Sequence, residues 1–313
     1  MLGASSTLTA QAPVSVSGRV LRGAARDTVP LANAWVVLHR VTRESGGPVD
    51  SVRSDARGRY RMEVRDPDST GVYVVSAWYD SLAYFSLPLN VTGRPAVHVE
   101  DIVTFPTSTS GPPIRLARRL ATIAGATEEG TREVLEILEL ENTGTTTRIT
   151  KDTLVPTWAG RVPERAAQFR GGQGDISPEA MLFRNDSVLV LGPIPPGPAK
   201  QLSYGYSLGA GTRTLVIPID QPTVEFNLLV EDTAATVSAP KLESLGVQEL
   251  EQRRFAAYRA GPLAPGDKIE IQLPGGRFSA QTVLPYVIAV LAAGMVVALV
   301  WALRRRPAEP RLS

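Results

Sequence analysis

Apolar and polar residues alternate along most of this chain in short runs, and Gly, Pro, Asn and Asp separate the runs. Val14-Ser-Val-Ser-Gly-Arg-Val-Leu21 has the period of two that marks a half-buried strand. Asp55 to Val64 gives a hairpin turn in which Gly58 is expected to take a positive φ, then a strand with Tyr60, Met62 and Val64 on one face. Val72 to Tyr79 is almost continuously apolar, as in a central strand. Ala34–Val41, Tyr84–Val91 and Ala96–Val103 supply further strands. Six or seven short strands with turns between them predict a β-sandwich over residues 13–106. Thr107-Ser-Thr-Ser-Gly-Pro-Pro113 reads as a linker, residues 107–113.

A second series follows over residues 114–276. Ser187–Leu191, Thr214–Ile219, Val224–Val230 and Lys268–Leu273 are short apolar runs. Lys200 to Leu208 alternates, with Leu202, Tyr204, Tyr206 and Leu208 on one face. Arg132 to Glu141 fits a helix or a strand, and the Asn142-Thr-Gly144 turn before a threonine-rich run favours a hairpin. The expected architecture is a second, Ig-like sandwich. The fold class is therefore all-β, with two tandem β-sandwiches.

One run near the end breaks the alternation. No charged residue lies between Phe278 and Leu303. Val283 to Leu303 supplies the roughly 20 apolar residues that a helix needs to cross a bilayer. Arg304, Arg305 and Arg306 follow at once, and such residues stay on the cytoplasmic side. The expectation is a transmembrane α-helix over 283–303 in the cell (inner) membrane. The basic tail 304–313 would be cytoplasmic, and the bulk of the chain periplasmic or otherwise extracytoplasmic. Val283 and Leu303 bound the anchor, and Tyr286 and Trp301 sit where amphipathic aromatics meet the interface. Gly294 and Ala298 are small residues four apart, a spacing that admits close approach of a second helix. Ala10-Gln11-Ala12 has the small-x-small form of a cleavage site, so residues 1–12 are expected to be a leader or a truncated signal peptide.

Composition narrows the chemistry. The 313 residues are 43% hydrophobic and 20% charged, ordinary for globular protein, and the net charge is only +2. A nearly neutral ectodomain argues against nucleic acid as a partner. The absence of cysteine excludes disulfides, thiolate metal sites and cysteine nucleophiles. His39 and His98, the two histidines, fall in neighbouring predicted strands, and with Glu100 or Asp101 they form a formal metal set that the chain more often uses as plain strand residues. Arg170-Gly-Gly-Gln-Gly-Asp175 lacks the Gly-Lys-Ser/Thr of a phosphate loop and reads as a mobile surface loop. Asp66 to Gly71 reads as a turn rather than a calcium loop. Asn90-Val-Thr92 and Asn185-Asp-Ser187 are glycosylation sequons. No Gly-x-Ser-x-Gly elbow occurs. No catalytic, metal or cofactor-binding residue is assigned, and no cofactor or small-molecule substrate is implied.

Ser17-Gly18-Arg19-Val20, then Pro30-Leu31-Ala32-Asn33-Ala34 leading into Val36-Val37-Leu38, then Ser54-Asp55-Ala56-Arg57-Gly58-Arg59-Tyr60, form an ordered set over the first third of the chain. This set resembles the carboxypeptidase regulatory-like domain. The resemblance implies a prealbumin-like (transthyretin-like) sandwich that accompanies other domains as a structural or binding module. It does not imply peptidase activity, and His-x-x-Glu is absent at both histidines. The expected function is that of a non-enzymatic, membrane-anchored accessory or scaffolding subunit. Its partners would be the lipid bilayer and the subunits of a larger membrane complex of respiratory, photosynthetic, cytochrome-assembly or envelope-transport type. The alternative is a membrane-tethered module that binds carbohydrate or peptide. Trp78, Tyr79 and Trp158 clustered beside a groove would favour the alternative, and a flat apolar patch the scaffold.

Overall fold

A computed structural model describes residues 12–24, 27–152, 155–250 and 252–274. The regular structure is β-strand throughout, apart from one 3-10 turn at Pro178–Ala180. No described helix is long and apolar enough to cross a membrane. The anchor residues Val283, Tyr286, Gly294, Ala298, Trp301 and Leu303 lie outside the described residues, as do Arg304, Arg305, Arg306 and nearly all of the leader.

The chain gathers into two compact units. The first holds the described residues up to Arg115 together with Leu140–Trp158 and Leu189–Lys200; the second holds Leu116–Glu139, Ala159–Val188 and the described residues from Gln201 on.

In the first unit, β1 (Val14–Gly23) pairs with β2 (Thr28–Pro30) and β5 (Arg59–Val64), and in parallel with β8 (Ala96–His98) and β9 (Ile102–Thr104). A second sheet has the order β4 (Gly46–Arg53), β3 (Trp35–Val41), β6 (Val72–Tyr79), β7 (Leu82–Phe85). Alternation sends Val14, Val16, Tyr60 and Met62 of one sheet against Val36, Leu38, Tyr73 and Val75 of the other, in one apolar cluster. That face-to-face burial defines a sandwich. Each buried Val, Leu or Met contributes about 1.5–3 kcal/mol relative to exposure, which holds the unit together without disulfides.

The turn at Gly58 has the expected conformation. Gly58 takes φ +72° and donates to Asp55 O at 2.9 Å. Asp55 Oδ1 accepts from the backbone N–H of Arg57 and Arg59, each at 2.8 Å. It is not a hairpin, however, because β4 and β5 belong to different sheets and the turn carries the chain from one to the other. The strand β4 escapes the sequence pattern. It contains Gly46, Gly47 and Pro48, and these are tolerated because β4 is an edge strand whose register shifts opposite Leu38 and His39.

In the stretch expected to be a linker, β10 (Thr107–Ser108) pairs in parallel with β13 (Thr147–Arg148). The hairpin expected around Asn142 is therefore not made. Asn142 instead turns the chain away: its amide donates to Thr146 O at 2.9 Å and Ile194 O at 2.7 Å, and its Oδ1 accepts from Gly144 N at 2.9 Å.

The second unit is built on a seven-stranded sheet in the order β15 (Ala166–Gly171), β18 (Lys200–Leu208), β12 (Arg132–Glu141), β11 (Arg115–Ile123), β20 (Thr223–Val230), β23 (Arg253–Ala260), β22 (Glu243–Leu250). Two smaller sheets accompany it: β14 (Trp158–Arg161), β17 (Ser187–Val190), β16 (Met181–Arg184), and β19 (Thr214–Pro218), β24 (Lys268–Gln272), β21 (Thr236–Ser238). Leu202, Tyr204, Tyr206 and Leu208 are all buried, as their alternation predicts. Arg132–Glu141 is a strand despite its helix-favouring Glu and Leu, because the sheet buries every second residue from Arg132 to Leu140.

Candidate functional site

The outward face of the sheet β4-β3-β6-β7 is the most unusual surface of the first unit. Val36 and Leu38 point into the core, so Trp35, Val37, His39 and Val41 point out. On β6 the outward set is Val72, Val74, Ser76 and Trp78. Register sets Trp35 directly opposite Trp78, with Arg53 flanking the first and Ala83 the second. Opposed residues on neighbouring strands sit about 4.5–5.5 Å apart at Cα, so the two indoles share one patch. Trp35 is 45% exposed, Trp78 48% and Phe85 63%, with Val41 and Val72 also exposed. The outer face of a two-layer sandwich is ordinarily polar. Here Trp35, Trp78 and Phe85 make it apolar.

Local chemistry holds this face in shape. The guanidinium of Arg53 lies 4.8 Å above the Trp35 ring, a cation–π contact. His39 Nε2 meets Ser76 Oγ at 2.8 Å, which satisfies a buried hydroxyl. Among the described residues no carboxylate bonds to His39, so the pair has no orienting acid of the triad kind. The β6–β7 turn uses Asp80 at φ 49° and Ser81 at φ 66°, the positive pair of a two-residue hairpin loop. Asp80 Oδ2 accepts from Thr107 N at 2.6 Å and Thr107 Oγ1 at 2.8 Å, and these bonds hold its carboxyl below the usual range. Tyr84 OH donates to Phe105 O at 2.7 Å, which pins β7.

The second unit contains a closed charged cluster. Arg119 on β11, Glu136 on β12, and Tyr204 and Tyr206 on β18 are each at most 2% exposed. Glu136 Oε2 accepts from Arg119 Nε at 2.6 Å and from Tyr204 OH at 3.1 Å, and Oε1 accepts from Tyr206 OH at 2.9 Å. Arg119 Nη1 donates to Pro218 O at 3.1 Å, joining the large sheet to the small one. Burial alone would push the Arg119 pKa down, but the charge of Glu136 and its hydrogen bond carry it above its ordinary value. Burial first, and Glu136 second, push both phenols far up, so neither ionises. The cluster is a structural tie: every member is enclosed, and none lines either of the clefts described next.

Two open clefts occur in the first unit. One, of about 730 Å³, is lined by Arg19, Arg53, Arg59, Arg61, His98 and Asp101 among others. Its acids are engaged: Asp101 accepts from Arg19, and Asp55 is held by the turn. The other, of about 750 Å³, mixes Arg40, Arg61 and Arg65 with Asp50, Glu63 and Asp66. Neither is lined by Trp78, Tyr79 or Trp158, and Trp158 is buried.

The remaining sequence candidates resolve as follows. His39 and His98 lie in different sheets, not on neighbouring strands. Among the described residues no three His, Asp or Glu side chains form a metal-holding group. The 170–175 segment is not a free loop. Gly172 N donates to Ser203 O at 2.8 Å, Ser203 Oγ donates to Gln173 O at 2.5 Å, and Gln201 N donates to Asp175 Oδ2 at 2.8 Å. Its glycines allow that approach, since a Cβ at Gly174 would lie 2.7 Å from Gln201 O. Asp66–Gly71 is a turn in which Asp68 Oδ1 accepts from Thr70 N at 2.8 Å. Asn90 and Asn185 are exposed.

No family model and no curated protein matches this chain. Among solved structures, the M1 zinc metallopeptidase from Deinococcus radiodurans aligns with a TM-score of 0.34 and 11% identity, over 54% of this chain and 44% of that one. A mutant of that enzyme bound to a Tyr-Ser-Ala substrate aligns with a TM-score of 0.32 and 12% identity over the same shares. The chain thus spans less than half the length of these structures. Likeness at this level carries neither their zinc site nor their activity to this protein.

Proposed function

We propose that this protein is a non-enzymatic accessory or scaffolding subunit that docks on a larger membrane protein complex. In this reading residues 283–303 cross the membrane and the β-units stand on its extracytoplasmic side. The first unit is a carboxypeptidase regulatory-like, prealbumin-like sandwich and the second is Ig-like. The observation that carries the reading is the exposed apolar face around Trp35, Trp78 and Phe85. Soluble monomers rarely leave so concentrated an apolar surface open, and docking surfaces are its common use.

The test is a Trp35→Ser/Trp78→Ser variant, purified in mild detergent beside the wild type. Both side chains lie outside the core, so the melting temperature should hold while co-purifying subunits are lost. Retention of the wild-type partners would overturn this assignment of the face. Protease added to the outer side of sealed membranes should digest both β-units, and their protection would overturn the orientation.

The second reading is carbohydrate binding, favoured by the directly paired indoles, since aromatic faces stack on sugar rings. It takes over if the double variant keeps its partners and loses retention on immobilised polysaccharide.

A further inference from the structure

The cleft of about 730 Å³ in the first unit gathers guanidinium groups from three strands. Arg19 on β1 and Arg59 and Arg61 on β5 project from one face of their sheet, and register sets Arg19 directly opposite Arg59. Arg53 joins them from β4. Like charges opposed on neighbouring strands cost stability unless something answers them. Arg19 is answered by Asp101, which accepts from its Nε at 3.0 Å and also from its Nη2. Arg53 donates to Asn33 O at 2.9 Å and lies over Trp35. The exposed side chains of Arg59 and Arg61 make no hydrogen bond or ion pair among the described residues. Four arginines against Asp55 and Asp101 leave the lining with an excess of two positive charges.

Tyr60, between those two arginines, supplies an independent observation. Its ring packs in the core, yet the residue also lines this cleft. It is 4% exposed, and its hydroxyl has no hydrogen-bond partner among the described residues. The hydroxyl lies against Gly18, where a Cβ would stand 2.6 Å from it. The sheet is open at that point. β8 pairs with Ser15–Ser17 and β9 with Val20–Arg22, so Gly18 and Arg19 have no strand partner on that side. Asp101 does not serve the phenol, since Arg19 engages both of its oxygens. Burial first, and the charge of Asp101 second, push the Tyr60 pKa up, so the hydroxyl keeps its proton and remains a donor. A buried donor without an acceptor costs stability, and a bound acceptor at this opening removes that cost.

We propose that the cleft binds a phosphate group, held by Arg59 and Arg61, with the Tyr60 hydroxyl donating to it through the opening at Gly18. Guanidinium groups pair bidentately with phosphate. A phosphomonoester carries about −1.5 to −2 charge at neutral pH, which matches the excess in the lining, whereas a carboxylate would leave one cation unanswered. Two sources offer this group, a soluble phosphomonoester and an anionic lipid headgroup.

The test titrates the full chain in detergent with inorganic phosphate at constant ionic strength and reads the heat of binding. The wild type should bind phosphate more tightly than acetate. Arg59→Gln/Arg61→Gln, altered only at exposed positions, should keep its melting temperature and lose about tenfold or more in affinity. Arg40→Gln/Arg65→Gln makes the same change in net charge at the other cleft and should bind as the wild type does. Tyr60→Phe keeps the buried ring and should weaken binding by about threefold. No binding by the wild type, an equal loss in both double variants, or full affinity in Tyr60→Phe would each overturn the proposal. Glycerol 3-phosphate and dihexanoyl phosphatidic acid then separate the sources. Equal affinity assigns the site to a soluble ester, tighter binding of phosphatidic acid assigns it to a lipid headgroup, and binding of neither would overturn it.

Discussion

The two units solve the problem of a closed β core in different ways. The first fills its interior with Val, Leu, Met and Tyr drawn from two sheets, and its charged side chains stay at the surface. The second places a guanidinium, a carboxylate and two phenols at the centre of its sheet. A well-packed apolar replacement of a buried ion pair is often as stable or more so. The pair therefore does something that raw stability does not explain. On β12 the side-chain period is two, so a slip of one residue would bury Leu135 and Ile137 and expel Glu136. Glu136 accepts from Arg119, Tyr204 and Tyr206 in one register only. The difference between the units is that the second has a register lock and the first relies on shape.

The largest test of that difference is Glu136→Ala. It leaves the Arg119 charge buried and unpaired and removes the acceptor of two phenols, a loss of about 3–5 kcal/mol. Thermal melting of the full chain should show one transition strongly lowered and the other unchanged. Arg119→Met/Glu136→Leu should recover much of the loss, because no charge then stays buried alone. If the double variant melts as low as Glu136→Ala, the cluster acts through packing and the lock is wrong. A smaller effect is expected from Tyr206→Phe, which removes one hydrogen bond to a charged group, worth about 1.5–3 kcal/mol. An unchanged melt would show that Glu136 is satisfied without it.

The corresponding test in the first unit concerns backbone rather than charge. Gly58 combines φ +72° with a direction in which a Cβ would collide with Val20 O. Gly58→Val should cost about 1–3 kcal/mol and lower only the transition that Glu136→Ala spares. If both variants lowered the same transition, the units would not melt independently and the comparison would fail.

Much of this fold was legible in the sequence because most strands are half-buried. The strands β1, β6, β18 and β20 alternate or run apolar within a residue or two of their observed ends. Three kinds of element escaped. The edge strand β4 carries Gly and Pro that a central strand would refuse. The strand β11 breaks the pattern with Arg118 and Arg119, one exposed and one buried, a difference set by a partner 17 residues away. The hairpin β22–β23 has no buried face on β22 for a pattern to reveal. On the proposed docking face, the sequence marks Trp78 only as a candidate for the ligand-binding alternative, and its pairing with Trp35 depends on a non-local register. Glu136 did leave a signal: read with period two, Arg132–Glu141 turns Leu135 outward and Glu136 inward. The uncharged run expected to span a membrane is the clearest feature of the sequence, and it falls outside the described residues.

The smallest expected effect concerns acid. With no ionisable pair among the described residues of its core, the first unit should respond to low pH through exposed carboxylates that cap turns. Asp55 is the cleanest of these. The backbone bond from Arg59 comes first among the causes that hold its pKa below the ordinary 3.8, and the bond from Arg57 acts the same way. A depressed folded-state pKa contributes stability that is present above the unfolded value and is lost as pH falls through the folded one. The first transition should therefore weaken below about pH 4, where the unfolded chain takes up the proton that the folded turn resists. Asp55→Asn keeps an acceptor oxygen and cannot titrate, so it should flatten the acid slope of the first transition and leave the second alone. The effect is small because the carboxylate is fully in solvent. An acid slope unchanged by Asp55→Asn would move the titration to Asp68 or Asp80, whose pKa values turn bonds also lower. An equal flattening of both transitions would mean that the two units do not unfold separately.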